Sequence, residues 1–202
     1  VGGCPGVPTL VIVRVNPIPI ATANAAVTTI CSSGITNITL TSTVAGTMFS
    51  WTVIQTGIFG ASSGSGATIA QTLTTVGSNQ GTVLYTITPT FNGCSGAPIT
   101  VTITVNPTPE VFGSSASTIC SGESPTISLF PSIVATTFAW TVASTNVTGA
   151  SNGTGVIIND VLTANQLGTV VYSVTPTANN CSGTPLNITI TVNPAPLPQI
   201  SN

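Results

Sequence analysis

The chain has 202 residues, of which 42% are hydrophobic and only 2% are charged, and Arg14 is its single cation. One arginine excludes the classes of protein that bind nucleic acid or an anionic membrane surface, because both need clusters of cations. No apolar run reaches the ~20 residues of a spanning helix, and abundant Val, Ile and Thr favour strands over helices or disorder.

The first residues of the chain match the end of a unit that recurs later. GGCPGVPTLVIVRVNPIPI, from Gly2, aligns with NGCSGAPITVTITVNPTPE, from Asn92, and places Cys4 opposite Cys94. Residues 1–15 are therefore predicted to be the last strand of a preceding repeat, with the strand itself over residues 9–15.

Residues 16–105 predict a first complete repeat of about seven short strands. Apolar and polar residues alternate within these segments, which is typical of half-buried strands. The predicted strands lie around Ile20 and Ile69 and over residues 38–40, 49–53, 83–87 and 99–105. Turn residues separate them at short intervals, as in Ig-like β-sandwiches.

Residues 106–192 predict a second repeat with the same pattern. Cys31 and Cys120 are 89 residues apart, whereas GTVLYTITPT at Gly81 and GTVVYSVTPT at Gly168 are 87 apart. The two-residue difference is predicted to fall in a loop near residues 75–80. Self-similarity at this period indicates a tandem array.

The motif VNPxP lies between the repeats. Asn106, Pro107 and Pro109 form the joint, and the two prolines predict a short, extended and stiff linker. Residues 193–202 begin with the same motif and are predicted to start a following repeat. The predicted fold is all-β, with tandem Ig-like sandwiches arranged as a rod.

Four aromatic residues are predicted to lie in the sandwich cores. Trp51 and Trp140 share the phase of their apolar neighbours, which favours a core position over a sugar-stacking platform. Tyr85 and Tyr172 occupy apolar strand positions, from which a hydroxyl can reach a polar partner.

The pattern TICSG, FSWTV, GTVxYTxTPTxNxCSG and TITVNPxP resembles the PKD-like, Ig-fold repeats of giant Bacteroidetes surface adhesins, including the SprB-like gliding-motility adhesins. The resemblance covers essentially the whole chain. It implies export to the cell surface by a dedicated system, such as type IX secretion, and a role in long filaments or adhesins.

The five cysteines predict disulfides in an oxidising compartment. Pairing within repeats gives Cys31–Cys94 and Cys120–Cys181 and leaves Cys4 for a partner upstream. An up-down strand order instead places the TIC turn and the CSG turn at opposite poles, too far apart for a disulfide. That topology predicts Cys31–Cys181 across the joint, with Cys94 and Cys120 paired to further repeats. The residue pattern leaves both schemes open.

Other chemistry has little support in the sequence. There is no histidine and no Cys-x-x-Cys, which argues against zinc and against a catalytic triad. The three acids, Glu110, Glu123 and Asp160, do not recur between repeats, which argues against calcium and paired-carboxylate catalysis. We therefore expect no enzyme activity, no metal and no cofactor.

These patterns predict a non-catalytic stalk segment of a secreted cell-surface adhesin, serving gliding motility or surface attachment. Its expected partners are neighbouring repeats, further copies in a filament, and a surface polysaccharide. One alternative is a carbohydrate-binding module, with Phe59, Phe91 and Phe112 as candidate aromatic contacts. Another is a pilin-like subunit that polymerises by donating residues 9–15 as a strand.

Overall fold

A computed structural model describes residues 2–114 and 117–195, and its regular structure consists of strands. The strands of the first repeat are β1 (Ala21–Ala25), β2 (Thr29–Cys31), β3 (Gly34–Ile35), β4 (Ile38–Ser42), β5 (Met48–Thr56), β6 (Ile58–Phe59), β7 (Gly64–Ser65), β8 (Thr68–Ile69), β9 (Thr72–Thr75), β10 (Gly81–Phe91), β11 (Cys94–Ser95) and β12 (Ile99–Asn106). Those of the second are β13 (Val111–Ser114), β14 (Thr118–Cys120), β15 (Ile127–Pro131), β16 (Thr137–Thr145), β17 (Gly153–Thr154), β18 (Ile157–Ile158), β19 (Gly168–Ala178), β20 (Cys181–Ser182) and β21 (Leu186–Asn193). The predicted all-β class is confirmed.

Each repeat is a sandwich of two main sheets with one core between them, and the first repeat has in addition a small sheet of order β3-β9-β6. In the first repeat the order β1-β4-β8 forms one sheet and β2-β12-β10-β5-β7 forms the other. The second repeat has the same orders, β13-β15-β18 and β14-β21-β19-β16-β17. The predicted tandem Ig-like sandwiches are thus present.

The alternation predicted for the long strands corresponds to the buried face of the larger sheet. Tyr85 on β10 pairs with Val101 on β12 and with Val53 on β5, and the inward residues Val83, Tyr85 and Ile87 are fully buried. The loop predicted near residues 75–80 also forms, since β9 ends at Thr75 and β10 begins at Gly81.

The tryptophans lie in the cores, where their rings are fixed by a hydrogen bond and a glycine. Trp51 donates from Nε1 to the carbonyl oxygen of Ser62 at 3.1 Å, and Trp140 donates to Ser151 at the same distance. A Cβ on Gly64 would lie 2.8 Å from the Trp51 ring, closer than packing allows. Neither ring is therefore available as a platform for sugars.

Both tyrosines are fully buried and donate their hydroxyls to polar side chains. Tyr85 bonds Oε1 of Gln71 and Tyr172 bonds Oδ2 of Asp160, each at 2.9 Å. Burial raises the pKa of both phenols, and the Asp160 carboxylate raises the pKa of Tyr172 further because a phenolate beside it would be repelled.

The TIC segments are strands, and their predicted placement in turns is wrong. Residues 29–31 form β2, which pairs in parallel with β12, while the preceding strand β1 pairs with β4 in the other sheet. The chain therefore crosses between sheets after β1. This crossing is invisible in the alternation pattern, because three residues are too few to show a period.

The N-terminal prediction also differs from the structure. Residues 9–15 form no strand, and apolar residues such as Val11 and Val13 are more than three-quarters exposed. A strand needs a partner that supplies its ladder hydrogen bonds, and residues 9–15 pair with none of the described strands. Of the predicted head at 193–202, residues 196–202 lie outside the described residues.

Candidate functional site: the joint between the repeats

Cys31 lies at the end of the first repeat that faces the joint. It is the last residue of β2 and is paired with Asn106, the last residue of β12. The next residue, Ser32, donates its backbone N–H to the carbonyl oxygen of Asn106 at 2.7 Å, which ties both strand ends together. Because β2 and β12 are parallel, Cys31 and the linker leave the sandwich at the same pole.

Cys181 lies at the facing pole of the second repeat, on the hairpin between its last two long strands. The two turn residues, Asn179 and Asn180, have φ of 49° and 62°. Two consecutive residues with positive φ are the signature of the type I′ hairpin turn, and asparagine tolerates this conformation well. The turn leaves Cys181 paired with Ala178 beside the tip.

A disulfide joins Cys31 to Cys181 across the joint, with 5.6 Å between the Cα atoms. The within-repeat pairings Cys31–Cys94 and Cys120–Cys181 are absent, and Cys4, Cys94 and Cys120 are free thiols. Within a repeat, the two cysteines lie at opposite ends of the sandwich and are too far apart to bond.

Asn106 connects the two repeats a second time, through hydrogen bonds. Its Nδ2 donates to the carbonyl oxygen of Asn179 in the second repeat at 3.1 Å, and its Oδ1 accepts from Nε2 of Gln80 in the first repeat at 2.7 Å. Only 5% of Asn106 is exposed. A buried amide with both ends bonded fixes the orientation of the linker's first residue.

The second linker proline, Pro109, is packed by the second repeat. Pro107 and Pro109 are buried, and a Cβ on Gly183 would overlap the carbonyl oxygen of Pro109 and approach Cγ of Pro176 to 2.9 Å. Gly183 belongs to the CSG motif that begins with Cys181. The CSG and NPxP motifs, which recur together in the sequence, are thus in contact, although 74 residues separate Pro109 from Gly183.

The same joint residues are more exposed where no second sandwich lies beside them. Asn106 and Pro107 are buried, whereas the equivalent Asn16 is partly exposed and Pro17 is exposed. At the other end Asn193 is exposed as well. The second proline of the motif is buried in both settings. The burial of the asparagine and of the first proline therefore needs both sandwiches, whereas the second proline is buried by the sandwich that follows it.

Sequence reasoning missed several residues that build the joint. Gln80 and Asn179 act through side-chain and turn geometry that no local pattern reveals. The role of Gly183 and of its counterpart Gly96 could have been inferred from the sequence, because each repeat contains one CSG glycine and one NPxP motif.

The remaining predicted site residues do not form a cluster. Phe59 lies on β6, Phe91 ends β10 and Phe112 lies on β13 in the other repeat. Among residues 2–114 and 117–195, no three His, Cys, Asp or Glu side chains lie close enough to hold a metal ion. The described residues also include no helix long and apolar enough to cross a bilayer.

The duplicated sandwiches and their joint define a tandem array of Ig-like modules. The model of the PKD-like domain matches residues 28–109 and 117–196, so the chain belongs to the PKD-like domain family, in two tandem copies. The two matches begin just before β2 and β14, the strands that carry the TIC cysteines.

Solved structures with a similar arrangement are remote in sequence. FdeC, an adhesin of Escherichia coli, is 16% identical with a TM-score of 0.41, over 85% of this chain and 63% of FdeC. Murine CEACAM1b is 9% identical with a TM-score of 0.33, over 86% of this chain and all of its own. InvE, an adhesin of Yersinia pseudotuberculosis, is 16% identical with a TM-score of 0.29, over 86% and 58%. No function transfers at these distances.

No curated protein matches the sequence of the chain.

Proposed function

We propose that the chain is a non-catalytic stalk segment of a large secreted cell-surface adhesin of the SprB-like type, and that its joints carry tension. The observation that carries this proposal is the Cys31–Cys181 disulfide, because it lies between modules and not within one. A disulfide also favours an oxidising, extracellular location. The nearly uncharged surface suits side-by-side association into filaments, since little charge repulsion opposes it.

The disulfide changes the path that tension takes along the chain. A pull between Asn16 and Asn193 passes through residues 16–31, crosses to Cys181 and continues through residues 181–193. The 150-residue loop between the bonded cysteines lies off this path, with strands β3 to β19. Extended fully, that loop would add roughly 500 Å to the chain.

Under oxidising conditions the stalk is therefore nearly inextensible. The sixteen residues from Asn16 to Cys31 and the thirteen from Cys181 to Asn193 reach only roughly 100 Å when fully extended. Tension along the backbone reaches only β1, β2, β20 and β21, and the strands from β3 to β19 are protected from direct stretching. Length and shape under tension are the properties a stalk needs.

Single-molecule pulling from the chain ends tests this mechanism. The oxidised chain should release no more than the short terminal segments, whereas the reduced chain should release both sandwiches. The double variant Cys31→Ser/Cys181→Ser should extend fully even without reductant. Full extension of the oxidised wild-type chain would contradict the load path.

Placement on a cell surface has a separate test. Antibodies raised against the two repeats should label intact source cells, and the labelled protein should be many times larger than the 20.1 kDa of this chain. A band near 20.1 kDa would instead support the pilin-like subunit. Strand donation finds little support in the sandwiches, since β12 and β21 already occupy the final-strand positions of the two repeats.

One surface feature favours carbohydrate binding as a second candidate function. Phe112 and Phe130 are opposite each other on β13 and β15, and each is 54% exposed. The matching pair in the first repeat is Thr22 and Thr41. Exposed aromatic rings stack on sugar faces, so a glycan array should show binding that Phe112→Thr/Phe130→Thr abolishes. Equal signals from both proteins would eliminate this candidate.

A further inference from the structure

The two free thiols at the poles of the described sandwiches, Cys94 and Cys120, repeat the surroundings of the two bonded cysteines. Cys120 is the counterpart of Cys31, because it ends β14 and pairs in parallel with Asn193. The following Ser121 donates its N–H to the carbonyl oxygen of Asn193 at 2.8 Å, as Ser32 does to Asn106. The pole of the second repeat thus presents a cysteine in the geometry of Cys31.

Cys94 is the counterpart of Cys181 on the first repeat. Its hairpin has Asn92 and Gly93 at the turn, with φ of 46° and 83°, and pairs Cys94 with Phe91. Gly96 donates its N–H to the carbonyl oxygen of Pro89 at 2.9 Å, the same bond that Gly183 makes in the second repeat. The turn that positions Cys181 for its disulfide is therefore reproduced at Cys94.

A contact at the Cys94 pole independently indicates what binds there. Nδ2 of Asn16 donates to the carbonyl oxygen of Asn92 at 3.3 Å, which repeats the bond from Asn106 to Asn179 beside the disulfide. Gly96 also packs against the carbonyl oxygen of Pro19, as Gly183 packs against Pro109. This pole already holds the linker half of a joint.

The exposure of the cysteines agrees with a missing neighbour at each pole. Cys181 is 1% exposed at the joint, whereas its counterpart Cys94 is partly exposed. Cys31 is partly exposed at the joint, whereas its counterpart Cys120 is exposed. The backbone frame is the same at each matched pair, so the difference comes from the absence of a facing sandwich.

We propose that Cys94 and Cys120 are the covalent attachment points for further PKD-like repeats at the two poles. Cys94 bonds a repeat that presents a TIC-type cysteine, and Cys120 bonds a repeat that presents a CSG-type cysteine. In each reaction two thiols lose two protons and two electrons and form one S–S bond. Glutathione disulfide, or another disulfide oxidant, takes up both electrons and both protons and is released as two thiols.

This inference assumes, as the proposed stalk role does, that repeats lie in series, but its test does not depend on tension. The experiment uses a four-repeat chain in which residues 1–193 continue directly into residues 17–202. The new joint reads Asn193-Pro17-Ile18-Pro19 and so restores the NPxP motif. This chain contains a new central joint, between the two copies, at which Cys120 and Cys94 can form a disulfide.

Serine substitutions make the outcome unambiguous. Three cysteines are changed to Ser: Cys4, the first copy's Cys94 and the second copy's Cys120. The free thiols that remain are the first copy's Cys120, of the TIC type, and the second copy's Cys94, of the CSG type. Both internal Cys31–Cys181 pairs remain as references. The matched control also carries Cys120→Ser in the first copy and retains a single thiol.

After equilibration in a glutathione redox buffer, we expect the remaining Cys120 and Cys94 to be joined, with no thiol left to alkylate. The control should retain its one thiol. Two alkylated thiols beside intact Cys31–Cys181 bonds would overturn the inference and leave the load path standing. Scrambled pairing, or loss of Cys31–Cys181 itself, would overturn both.

Discussion

Asn106 donates a hydrogen bond from its side chain to the carbonyl oxygen of Asn179, across the boundary between the two repeats, at 3.1 Å. Both partners are fixed by local structure: Asn106 ends a strand and Asn179 lies in a tight turn. The bond is therefore made between two rigid elements, which gives the joint one preferred geometry. Its contribution to stability can be measured, because the equivalent Asn193 is exposed and serves as a control.

Replacing Asn106 by Asp should weaken the joint. The carboxylate keeps the shape but loses the N–H donor, and leaves a charge facing the Asn179 carbonyl in a buried site. We expect a loss of about 1–3 kcal/mol in the free energy of unfolding, measured by urea denaturation. Asn193→Asp, on an exposed equivalent, should change little. Equal losses from both variants would show that the bond across the joint contributes nothing.

Removing the disulfide should lower stability more than any single hydrogen bond. For the 150-residue loop, chain entropy alone predicts a loss of up to about 5 kcal/mol in Cys31→Ser/Cys181→Ser. The decrease should appear in the urea midpoint without reductant. Cys94→Ser/Cys120→Ser removes two free thiols and should leave the midpoint unchanged.

Disulfide mapping of the wild-type chain needs a choice of protease. Trypsin cuts only after Arg14, the single basic residue. Cleavage at aromatic residues separates Cys31 from Cys94 at Trp51, and cleavage after Glu110 separates Cys94 from Cys120. A peptide joining Cys31 to Cys181 is expected. A peptide joining Cys31 to Cys94 would refute the joint disulfide.

A methyl group on Gly183 should disturb the packing of the linker. Gly183→Ala places a Cβ against the carbonyl oxygen of Pro109, and backbone cannot move aside as a flexible side chain can. Such overpacking costs about 1–3 kcal/mol, which thermal denaturation would detect. Gly6 occupies the same motif position without neighbours within 4 Å, so a comparable loss in Gly6→Ala would contradict this explanation.

Stability should depend on pH mainly on the alkaline side. The folded protein holds the phenolic protons of Tyr85 and Tyr172 more tightly than the unfolded chain does, because burial raises both pKa values. The unfolded state therefore ionises first, near the usual pKa of about 10. Stability should be constant from pH 4 to pH 9 and should fall as the pH rises above about 10.

The variant Asp160→Asn distinguishes the contribution of Tyr172 to the alkaline loss of stability from that of Tyr85. The amide still accepts the Tyr172 hydroxyl, as Gln71 does for Tyr85, but no longer adds a negative charge. The alkaline loss of stability should become smaller while the neutral value changes little. Cys4, Cys94 and Cys120 are best changed to Ser, so that thiolates do not exchange with the joint disulfide. An unchanged alkaline slope would exclude the carboxylate as a cause.

Much of the fold follows from local sequence. Alternation in residues 83–87 and 99–105 predicts the two central strands, since each buried residue is two positions from the next. The core places of Trp51 and Tyr85 follow from the same phase. The smaller sheet, of order β1-β4-β8, is harder to predict, because β8 has only two residues and cannot show a period.

The joint was predictable in outline but not in detail. The repeat alignment located NPxP and both cysteine contexts, yet the pairing remained open because it depends on where β2 lies. That strand pairs in parallel with β12, a contact between segments about 75 residues apart. The contact of Gly183 with Pro109 is also long-range, and only a folded repeat brings these residues together.

The linker residues are divided between the two repeats. Asn106 completes a strand of the first repeat, whereas Pro109 is enclosed by the second. A segment that begins at proline and ends at asparagine therefore carries one half of a joint at each end, in matching orientation. Such segments are interchangeable, because every one of them can form the same joint with the next. A gene encoding them can gain or lose whole copies by recombination, and the length of the protein changes while every coupling is preserved.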